Sequence, residues 1–435
     1  MRRFANFSRT VTATPAQWHS ISDPGQLPQI LSSAADQGLT VRTVGAGHSF
    51  TPLVQTNGVL LSLDGFQGIE EVDALTHEVT FLAGTRLWQI PRLLEPFNLA
   101  LENMGDINRQ SVAGAISTST HGTGLSFTGF SGAVTGIRIM LADGTHQRAS
   151  ATENPELFHA ARVGLGALGV ITHVRLRCVP DFLLHAAERV EDIEQIAQSF
   201  IDRSKQNDHV EFFWFPGTKR AIVKTNTRLA ASSTLPKMNP FSRWVNDELV
   251  SNGALQGIST LGALRPQWIP RLNRLATAVL SNREYTDRWD RVFTSPRRVR
   301  FTEMEYAIPL ENFTSAFAQL RSYLDSVPAQ VVFPVEVRTA AADDTWLGTA
   351  SGRDSAYIAV HQYIHDDVPQ YFPAVEKILR DSDGRPHWGK VHSLGAADLS
   401  ACYPRFGDFQ VVRAAVDPRG LFLNTYLRRL LVGEA

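Results

Sequence analysis

The sequence predicts an α+β protein with two domains. At 435 residues, the chain is long for a single hydrophobic core, which favours two packed units. Apolar residues make up 43% of the chain and charged residues 20%, as is typical of folded globular proteins. Up to about residue 180, short β-branched runs alternate with helical patterns, whereas longer amphipathic helices and aromatic strands follow. We therefore expect a change of domain near Pro180.

The first domain is predicted to begin with a helix over residues 24–37, followed by three strands. The apolar positions of the helix are spaced for one face; they are Leu27, Ile30, Leu31 and Ala34. The strands are predicted from β-branched runs between glycine-containing turns. These runs cover residues 40–44, 58–63 and 78–81.

The rest of the first domain is predicted to contain two short helices, a long coil and a strand. Residues 87–97 read as a helix, and residues 105–136 are rich in Gly, Ser and Thr with few charges, which predicts coil. Asn154-Pro155 suits the start of a helix that runs to Ala161, because proline fits the first helical position. Residues 169–179 then read as a strand.

The second domain is expected to span residues 181–399. Residues 193–204 form an amphipathic helical pattern, and residues 212–215 read as an aromatic strand. Arginines recur over residues 265–300, but their acidic and apolar neighbours favour solvated or ion-paired side chains over a nucleic-acid-binding patch. The apolar segment 421–426 is expected to return to the first domain, which then comprises residues 1–180 and 400–435.

Charge and cysteine content limit the possible partners. Lys and Arg number 42 against 43 Asp and Glu, for a net charge of −1, so no global field favours nucleic acid or an anionic membrane. The expected partner is a small molecule of low charge. Cys178 and Cys402 form neither a disulfide framework nor a metal-binding spacing, and the thirteen histidines show no ligand spacing, so no metal is predicted.

The same sequence gives an expected location. The N-terminal segment lacks the apolar run of a signal peptide. No window offers the ~20 consecutive apolar residues that a membrane helix requires. We therefore expect a cytoplasmic protein without an integral membrane segment.

A first glycine-rich loop follows the strand over residues 40–44. It consists of Val44, Gly45, Ala46, Gly47, His48 and Ser49. Its two glycines allow successive backbone N–H groups to point into one concavity that can hold phosphate oxygens, although a plain turn is the alternative. A Rossmann site is disfavoured, because Phe50 stands where its third glycine belongs and Pro52 follows instead of a helix.

A second glycine-rich loop covers residues 111–124. It includes Ser111, Gly114, Thr118, His121, Gly122 and Gly124. A buried loop needs partners for its backbone groups, and a large polar ligand would supply them. Two such loops in one domain predict a dinucleotide ligand.

These two loops, together with His387-Trp388-Gly389-Lys390, resemble the aldonolactone oxidoreductases. That family includes gulono-, galactono- and arabinono-1,4-lactone oxidases and dehydrogenases, with alditol oxidase as a relative, within the vanillyl-alcohol-oxidase type of flavoproteins. The resemblance covers nearly the whole chain, and the HWGK element is its most specific part. It implies FAD as cofactor and a fold of the VAO/PCMH type. It also implies that the antiparallel sheet of a cap domain covers the isoalloxazine ring.

The resemblance also implies which residues contact FAD. His48 occupies the position where many members attach the flavin 8α-methyl group covalently, with a noncovalent packed histidine as the alternative. Ser111, Gly114, Thr118 and Gly122 are implied to line the FAD. Gly169, Val170 and Ile171 are implied at its adenine end. His121 is either a cofactor contact or a core histidine satisfied by backbone groups.

Glu336 and Arg338 are the predicted substrate-binding pair. They are two residues apart in a strand, so their side chains lie on the same face. A surface ion pair is one reading, but the flanking residues 331–335 are strongly apolar, and a charged pair in a buried strand is costly unless it has a task. The resemblance implies that the pair binds sugar hydroxyls and that Arg338 also stabilises negative charge on the reduced flavin.

Four further residues are assigned to the same site. Lys390 is implied near flavin N1 and the C2 carbonyl, where a fixed cation favours the anionic reduced flavin. His361 is the candidate acceptor of the hydroxyl proton, with a structural hydrogen bond as the alternative. Asp106 stands where alditol oxidase uses a serine to contact substrate, which favours a lactone. At the position of Gly105, the resemblance implies that a small residue leaves space for oxygen to reach the flavin, so glycine permits oxidase chemistry.

The predicted reaction is FAD-dependent oxidation of a sugar-1,4-lactone of the L-gulono-, L-galactono- or D-arabinono type. Hydride passes from the C2 carbinol carbon to flavin N5, and the electrons then pass to O2 or to another acceptor. Three alternatives stay open: an alditol oxidase, a lactone dehydrogenase that avoids oxygen, and a flavin-binding electron carrier without turnover. The polar residues expected over the flavin ring disfavour the electron carrier, because a protein that only carries electrons has no need of a polar pocket there.

Overall fold

The computed structural model describes residues 2–233, 255–278, 281–327 and 331–434. The α+β class is confirmed, because helices combine with several sheets, of which the largest is antiparallel. Among these residues, no helix has the length and apolar character needed to cross a membrane.

Two sheets dominate the first part of the chain. Its strands are β1 Phe4–Ala5, β2 Thr12–Ala13, β3 Gln17–Ser20, β4 Val41–Val44, β5 Val59–Ser62, β6 Ile69–Asp73, β7 Glu78–Leu82, β8 Leu99–Ala100, β9 Val134–Met140, β10 His146–Ser150, β11 Val170–Arg177 and β12 Val179–Pro180. A parallel sheet has the order β3-β5-β4, and an antiparallel sheet has the order β10-β9-β11-β7-β6. Every residue of β5 is buried, as expected for the central strand of a parallel sheet that is covered on both faces.

The helices of this part agree with prediction at three places. They are α1 Leu27–Asp36, α2 Ile90–Leu94, α3 Val112–Ser117 and α4 Pro155–Ala161. The predicted helices over 24–37, 87–97 and 155–161 are confirmed, and 3-10 turns extend the first two of them. The strands predicted over 40–44, 58–63, 78–81 and 169–179 are also confirmed, with small shifts at their ends.

The prediction of continuous coil over residues 105–136 is wrong at α3. The side chain of Ser111 caps this helix by accepting a hydrogen bond from the Gly114 N–H at 3.2 Å. The helix buries Val112, Ala115 and Ile116, which have helical spacing. Gly114 obscured that pattern in the sequence, because glycine is a poor helix former. A 3-10 turn at Phe130–Ala133 and the start of β9 also fall in this segment.

The second part of the chain is built on one large antiparallel sheet. Its strands are β13 Phe182–Asp192, β14 His209–Trp214, β15 Arg220–Ala230, β16 Arg283–Arg288, β17 Phe301–Pro309, β18 Val335–Ala340, β19 Ser355–Tyr363 and β20 Arg385–Pro386. Their order is β16-β13-β15-β14-β18-β19-β17-β20. The helices that follow in the chain are α5 Ile193–Gln206, α6 Leu255–Leu264, α7 Ile269–Ala278, α8 Trp289–Phe293, α9 Phe313–Ser326, α10 Tyr371–Arg380, α11 Ala396–Cys402, α12 Phe406–Val416 and α13 Thr425–Leu431.

The two faces of this sheet differ in character. On one face, α5 and α9 cover the strands with aromatic side chains. Phe200 of α5 packs on Phe212 at 5.0 Å between ring centroids, and Phe317 of α9 packs on Phe212 at 5.4 Å and on Trp214 at 5.9 Å. These edge-on contacts form a continuous apolar layer.

The opposite face of the sheet is polar at its centre. Register places Glu336 beside Ala359 and Arg338 beside Tyr357, and it places Glu303 beside His361. Because side chains of directly paired residues lie on the same face, these charged residues converge on one patch. We call this patch the polar face. All of its residues named here are buried.

The C-terminal segment lies against the first part of the chain. The Val41 N–H donates to the Leu421 carbonyl at 2.8 Å. The buried Arg42 guanidinium donates to the carbonyl of Phe422 at 2.5 Å. These contacts support the division that we propose, in which residues 400–435 belong with residues 1–180.

Candidate active site

A cavity of about 170 Å³ lies between the two glycine-rich loops and the polar face. The first loop, residues 105–106, helix α3 and residues 165–169 line it on one side. On the other side it is lined by Glu305, Arg338 and the HWGK element. The fold thus brings together the segments that the sequence singled out separately.

The two glycine-rich loops contact each other at Gly45 and Ser111. A Cβ atom at Gly45 would lie only 2.6 Å from the Ser111 hydroxyl oxygen. Gly47 has φ +68°, a conformation that favours glycine. At the far side, a Cβ at Gly169 would lie 2.4 Å from the Met140 carbonyl. A side chain at Gly45 or Gly169 would therefore clash with its neighbours, and one at Gly47 would strain the backbone, so glycine is required at these points of the cavity wall.

Most residues predicted to bind the cofactor line this cavity. They are Val44, Gly45, Ala46, Gly47, His48, Ser49, Gly105, Ser111, Gly114, Thr118, His121, Gly169, Ile171 and Lys390. Gly122 and Val170 are not among its lining residues. A Cβ at Gly122 would lie 2.3 Å from the Met104 carbonyl, and Val170 is fully buried in the core, so close packing accounts for both.

His48 faces the cavity as a neutral imidazole. Burial lowers its pKa to about 4, and the cations Lys390, Arg86 and Arg109 add to the shift. Its ring stacks on Phe7 with 5.1 Å between centroids. Within the described ranges, no residue forms a hydrogen bond with either ring nitrogen. A ring nitrogen is therefore available to a ligand in the cavity.

The HWGK element is anchored by its tryptophan. Trp388 is fully buried, stacks on Tyr403 at 5.1 Å and donates from Nε1 to the Leu347 carbonyl at 2.7 Å. The Gly389 carbonyl accepts a hydrogen bond from the Phe50 N–H at 2.7 Å. This bond ties the element to the end of the first glycine-rich loop. The buried anchor therefore holds Lys390 in the wall of the cavity that His48 also lines.

Lys390 forms a close ion pair with Glu303, which sequence analysis did not single out. Burial opposes the charge of Lys390, but Glu303 and Glu305 outweigh it, so its pKa is raised. The ammonium group also lies 5.5 Å from the ring centroid of Phe50. Lys390 is therefore a fixed cation at the cavity wall.

Arg338 is surrounded by three carboxylates. Its Nε donates to Glu211 at 2.9 Å, and it forms a close ion pair with Glu336. Its Nη2 lies 3.7 Å from Oδ1 of Asp106. Burial of these charges is tolerable only because they neutralise one another. Glu336 does not line the cavity directly, and it supports Arg338 from the same strand.

The pKa of Glu336 is shifted in the opposite direction to the pKa values of Asp106 and Glu211. Burial raises its pKa to about 8, Asp106 and Glu211 add to the shift, and Arg338 opposes it. By contrast, burial alone would raise the pKa of Asp106, but Arg297 and Arg338 reverse this and lower the pKa well below its usual range. Asp106 is therefore ionised at neutral pH, whereas Glu336 is the carboxyl around Arg338 that gains a proton most readily, and in that form it is a hydrogen-bond partner of Arg338 instead of an ion pair.

His361 lies behind the cavity wall, next to the same carboxylates. Its Nδ1 is 3.3 Å from the Pro334 carbonyl, which favours a proton on Nδ1. Its Nε2 is 3.6 Å from Glu303 and 4.0 Å from Glu336. Burial lowers the pKa of His361, with Lys390 and Arg297 adding to the shift. The ring is therefore neutral at pH 7 and has a free lone pair on Nε2.

His121, Glu305 and His387 form a second buried cluster, whose ring nitrogens and carboxylate oxygens lie within 4.8 Å of one another. His121 Nδ1 is 2.9 Å from the Gly122 carbonyl, and its Nε2 is 3.2 Å from Glu305. The Gly389 N–H donates to His387 Nδ1 at 3.0 Å. The cluster is therefore a buried polar network that links the second glycine-rich loop to the HWGK element through Glu305.

Four charged residues of the site were not predicted from the sequence. They are Glu211, Arg297, Glu303 and Glu305. Glu303 and Glu305 stand two apart in one strand, the signal that identified Glu336 and Arg338, and Glu211 is a lone acidic residue in the aromatic strand β14. Arg297 comes from a loop and carries no such signal.

Comparison with known proteins agrees with this geometry. Residues 17–150 match the family model of an FAD-binding domain, and residues 174–430 match the family model described as D-arabinono-1,4-lactone oxidase. The chain belongs to the aldonolactone oxidoreductase family. The predicted resemblance is thereby confirmed. This family member is an FAD-dependent oxidoreductase that acts on CH–OH groups.

The relatives of this aldonolactone oxidoreductase cover nearly its whole length. It is 42% identical to L-gulono-1,4-lactone dehydrogenase of Mycobacterium tuberculosis, over 93% of this chain and 94% of that protein. It is 30% identical to L-gulonolactone oxidase of Mus musculus, over 98% of each chain. It is also 30% identical to alditol oxidase of a Streptomyces species, over 98% of this chain and 99% of that protein.

Among solved structures, cholesterol oxidase from Brevibacterium sterolicum is similar to this family member with a TM-score of 0.83. The similarity covers 99% of this chain and 96% of that one, at 16% sequence identity. At that identity the comparison concerns the fold alone, and it confirms the predicted VAO/PCMH type.

Proposed function

We propose that this protein oxidises the C2 hydroxyl of a sugar-1,4-lactone of the gulono-, galactono- or arabinono type, using FAD. The observation that best supports this function is the set of charged side chains at the cavity, where Arg338 of the polar face, Lys390 of the HWGK element and their carboxylate partners lie close together. Such a set suits a neutral ligand with many hydroxyl groups, because each hydroxyl can both donate and accept. A mere electron carrier would not need it.

Bound FAD would supply the redox step by accepting hydride from the carbinol carbon of the substrate. The two glycine-rich loops would hold the cofactor, since their exposed backbone groups fit its pyrophosphate. Arg338 and Asp106 line the cavity and would hold sugar hydroxyls in place. Lys390 contributes a fixed positive charge that stabilises negative charge developing in the cavity.

His361 would accept the hydroxyl proton at Nε2. Its neutral ring and its Nδ1 contact with Pro334 leave that nitrogen free. Glu336, the carboxyl whose pKa is raised, would in its protonated form donate a hydrogen bond to a substrate oxygen. Neither group lines the cavity in this structure, so these roles require that the substrate reaches them past the side chain of Arg338, which does line it.

These roles predict a bell-shaped pH profile of kcat/KM. Activity should fall below about pH 6.5 as His361 becomes protonated, because its pKa is lowered from that ordinary value. Activity should also fall as pH rises through about 8, when Glu336 loses its proton. Glu336→Gln keeps a hydrogen-bond donor without a titrating group. It should keep activity within about fivefold at pH 7 and abolish the alkaline fall.

The alternative assignment has a different profile. If Glu336 were itself the proton acceptor, activity would rise rather than fall through pH 8, and Glu336→Gln would be inactive at every pH. Initial rates measured from pH 5.5 to 9.5 on both proteins distinguish the two roles.

We further propose that FAD is attached covalently to His48. The ring is neutral, faces the cavity and has no hydrogen-bond partner among the described residues. After acid precipitation, the wild-type pellet should stay yellow, whereas His48→Ala should release its flavin into the supernatant. His19→Ala, which changes a half-buried histidine of β3, is the control. A yellow supernatant from the wild-type protein would contradict the covalent bond.

The substrate and the acceptor require a direct assay. Purified protein should reduce an artificial acceptor with gulono-, galactono- or arabinono-1,4-lactone as substrate. Reduction with alditols should be slower, since Asp106 stands where the resemblance implies a substrate-binding serine in alditol oxidase. Faster turnover of alditols would favour the second candidate, which the alditol oxidase relative suggests. Hydrogen peroxide formation in air would identify an oxidase. We expect it because Gly105 is small, although a Cβ there would also approach the His121 carbonyl at 2.9 Å.

A cytoplasmic location is part of the proposal. Cys178 and Cys402 are both free thiols. No partner other than a sugar and an electron acceptor is required by the site, and neither nucleic acid nor an integral membrane segment is expected.

A further inference from the structure

Arg297 approaches the site from the loop after α8, outside the cavity lining. Its Nε and Nη2 both donate to Oδ2 of Asp106, at 3.1 Å and 2.5 Å. The same loop is tied down by the Ser295 N–H, which donates to the Asp106 carbonyl at 3.0 Å. Arg297, which the sequence did not single out, thus holds the Asp106 carboxylate from outside the cavity lining.

The two carboxylate oxygens of Asp106 have different neighbours. Oδ2 is occupied by Arg297, whereas Oδ1 faces Arg338 at 3.7 Å, beyond hydrogen-bond distance. Arg338 directs its hydrogen bond and its closest ion pair to Glu211 and Glu336 instead. Without Arg297, Asp106 would be a buried carboxylate whose nearest cation is Arg338.

We propose that Arg297 is a positioning residue, which neutralises Asp106 and so leaves Asp106 Oδ1, and the N–H groups of Arg338 that Glu211 and Glu336 do not occupy, available to the hydroxyl groups of the substrate. The inference rests on the proposed function, because it assigns these two groups to the sugar. It adds a residue that acts on substrate binding without contacting substrate.

The test is a set of variants in the FAD-loaded enzyme. Arg297→Gln should raise KM for the lactone about tenfold or more, because Asp106 then draws Arg338 into a direct ion pair, and kcat should change less. Asp106→Asn added to Arg297→Gln removes the unpaired carboxylate. The double variant should recover most of the lost affinity.

A pH titration separates positioning from a structural role. Arg297 and Arg338 together hold the pKa of Asp106 well below its usual range. Removal of Arg297 should raise that pKa, so that the KM of Arg297→Gln improves as the pH falls and Asp106 becomes protonated. The wild-type KM should show no such acid improvement. A loop that had merely lost its fold would not recover at low pH.

Arg288→Gln is the matched control. Arg288 also has 30% side-chain exposure and forms a comparable pair with Asp290, but it does not contact the site. It should leave KM unchanged. A wild-type KM in Arg297→Gln, or a raised KM that neither Asp106→Asn nor acid restores, would overturn the inference. If instead the wild-type enzyme turned over no sugar lactone at all, the proposed function itself would fail.

Discussion

Arg338→Ala is expected to lower kcat/KM for the lactone by a factor of about 10³ or more, because it removes a donor fixed in a low-dielectric site. The same change leaves Glu211, Glu336 and Asp106 without their shared cation. Breaking a buried ion pair by deleting one partner costs about 3–5 kcal/mol of folding free energy. Steady-state kinetics and urea unfolding of the same preparation measure the two effects.

Arg338→Lys separates the charge from the geometry. Lysine keeps the positive charge, so the stability should recover in large part. It cannot reproduce the planar fork that serves Glu211 and Glu336 together, so kcat/KM should stay at least about tenfold below wild type. Activity within tenfold of wild type in Arg338→Ala would remove this residue from the site.

Lys390→Met is expected to lower kcat by about 10²–10³-fold, the range found when one fixed donor or cation is removed from an active site. Two effects combine. The cation that stabilises developing negative charge is lost, and Glu303 then faces His361 without its partner. Because Glu303 raises the pKa of His361 and Lys390 lowers it, loss of Lys390 raises that pKa, so a larger fraction of the imidazole is already protonated and unable to take the hydroxyl proton.

A second measurement identifies the electrostatic contribution of Lys390. The reduction potential of the bound flavin should fall in Lys390→Met, because the reduced form carries the extra negative charge. The acid limb of the pH profile should also move to higher pH. Lys377→Met, which deletes an exposed lysine paired with Asp381, is the control and should change neither quantity. An unchanged potential together with wild-type kcat would contradict the role given to Lys390.

Local patterns were sufficient for the elements whose faces are set by sequence periodicity. The helix at Pro155–Ala161 begins at its proline, and Glu336 and Arg338 share a face because a strand has a period of two. Helix α3 escaped prediction, because its low-propensity glycine and its short length hide a pattern that is stabilised by tertiary burial. The domain boundaries and the assigned roles of site residues remain predictions that the variants above would test.

The sequence by itself determined the α+β class, the two glycine-rich loops, the HWGK element and the charged pair of β18, because these depend on neighbours along the chain. The tertiary structure alone decided which charges meet. Asp106 and Lys390 line the cavity, and Glu211, Arg297 and Glu303, from three other segments, pair with the charged residues of its wall. Their pairing, and therefore the raised pKa of Glu336 and the neutral state of His361, follows from burial and distances of a few ångströms, which no local pattern encodes.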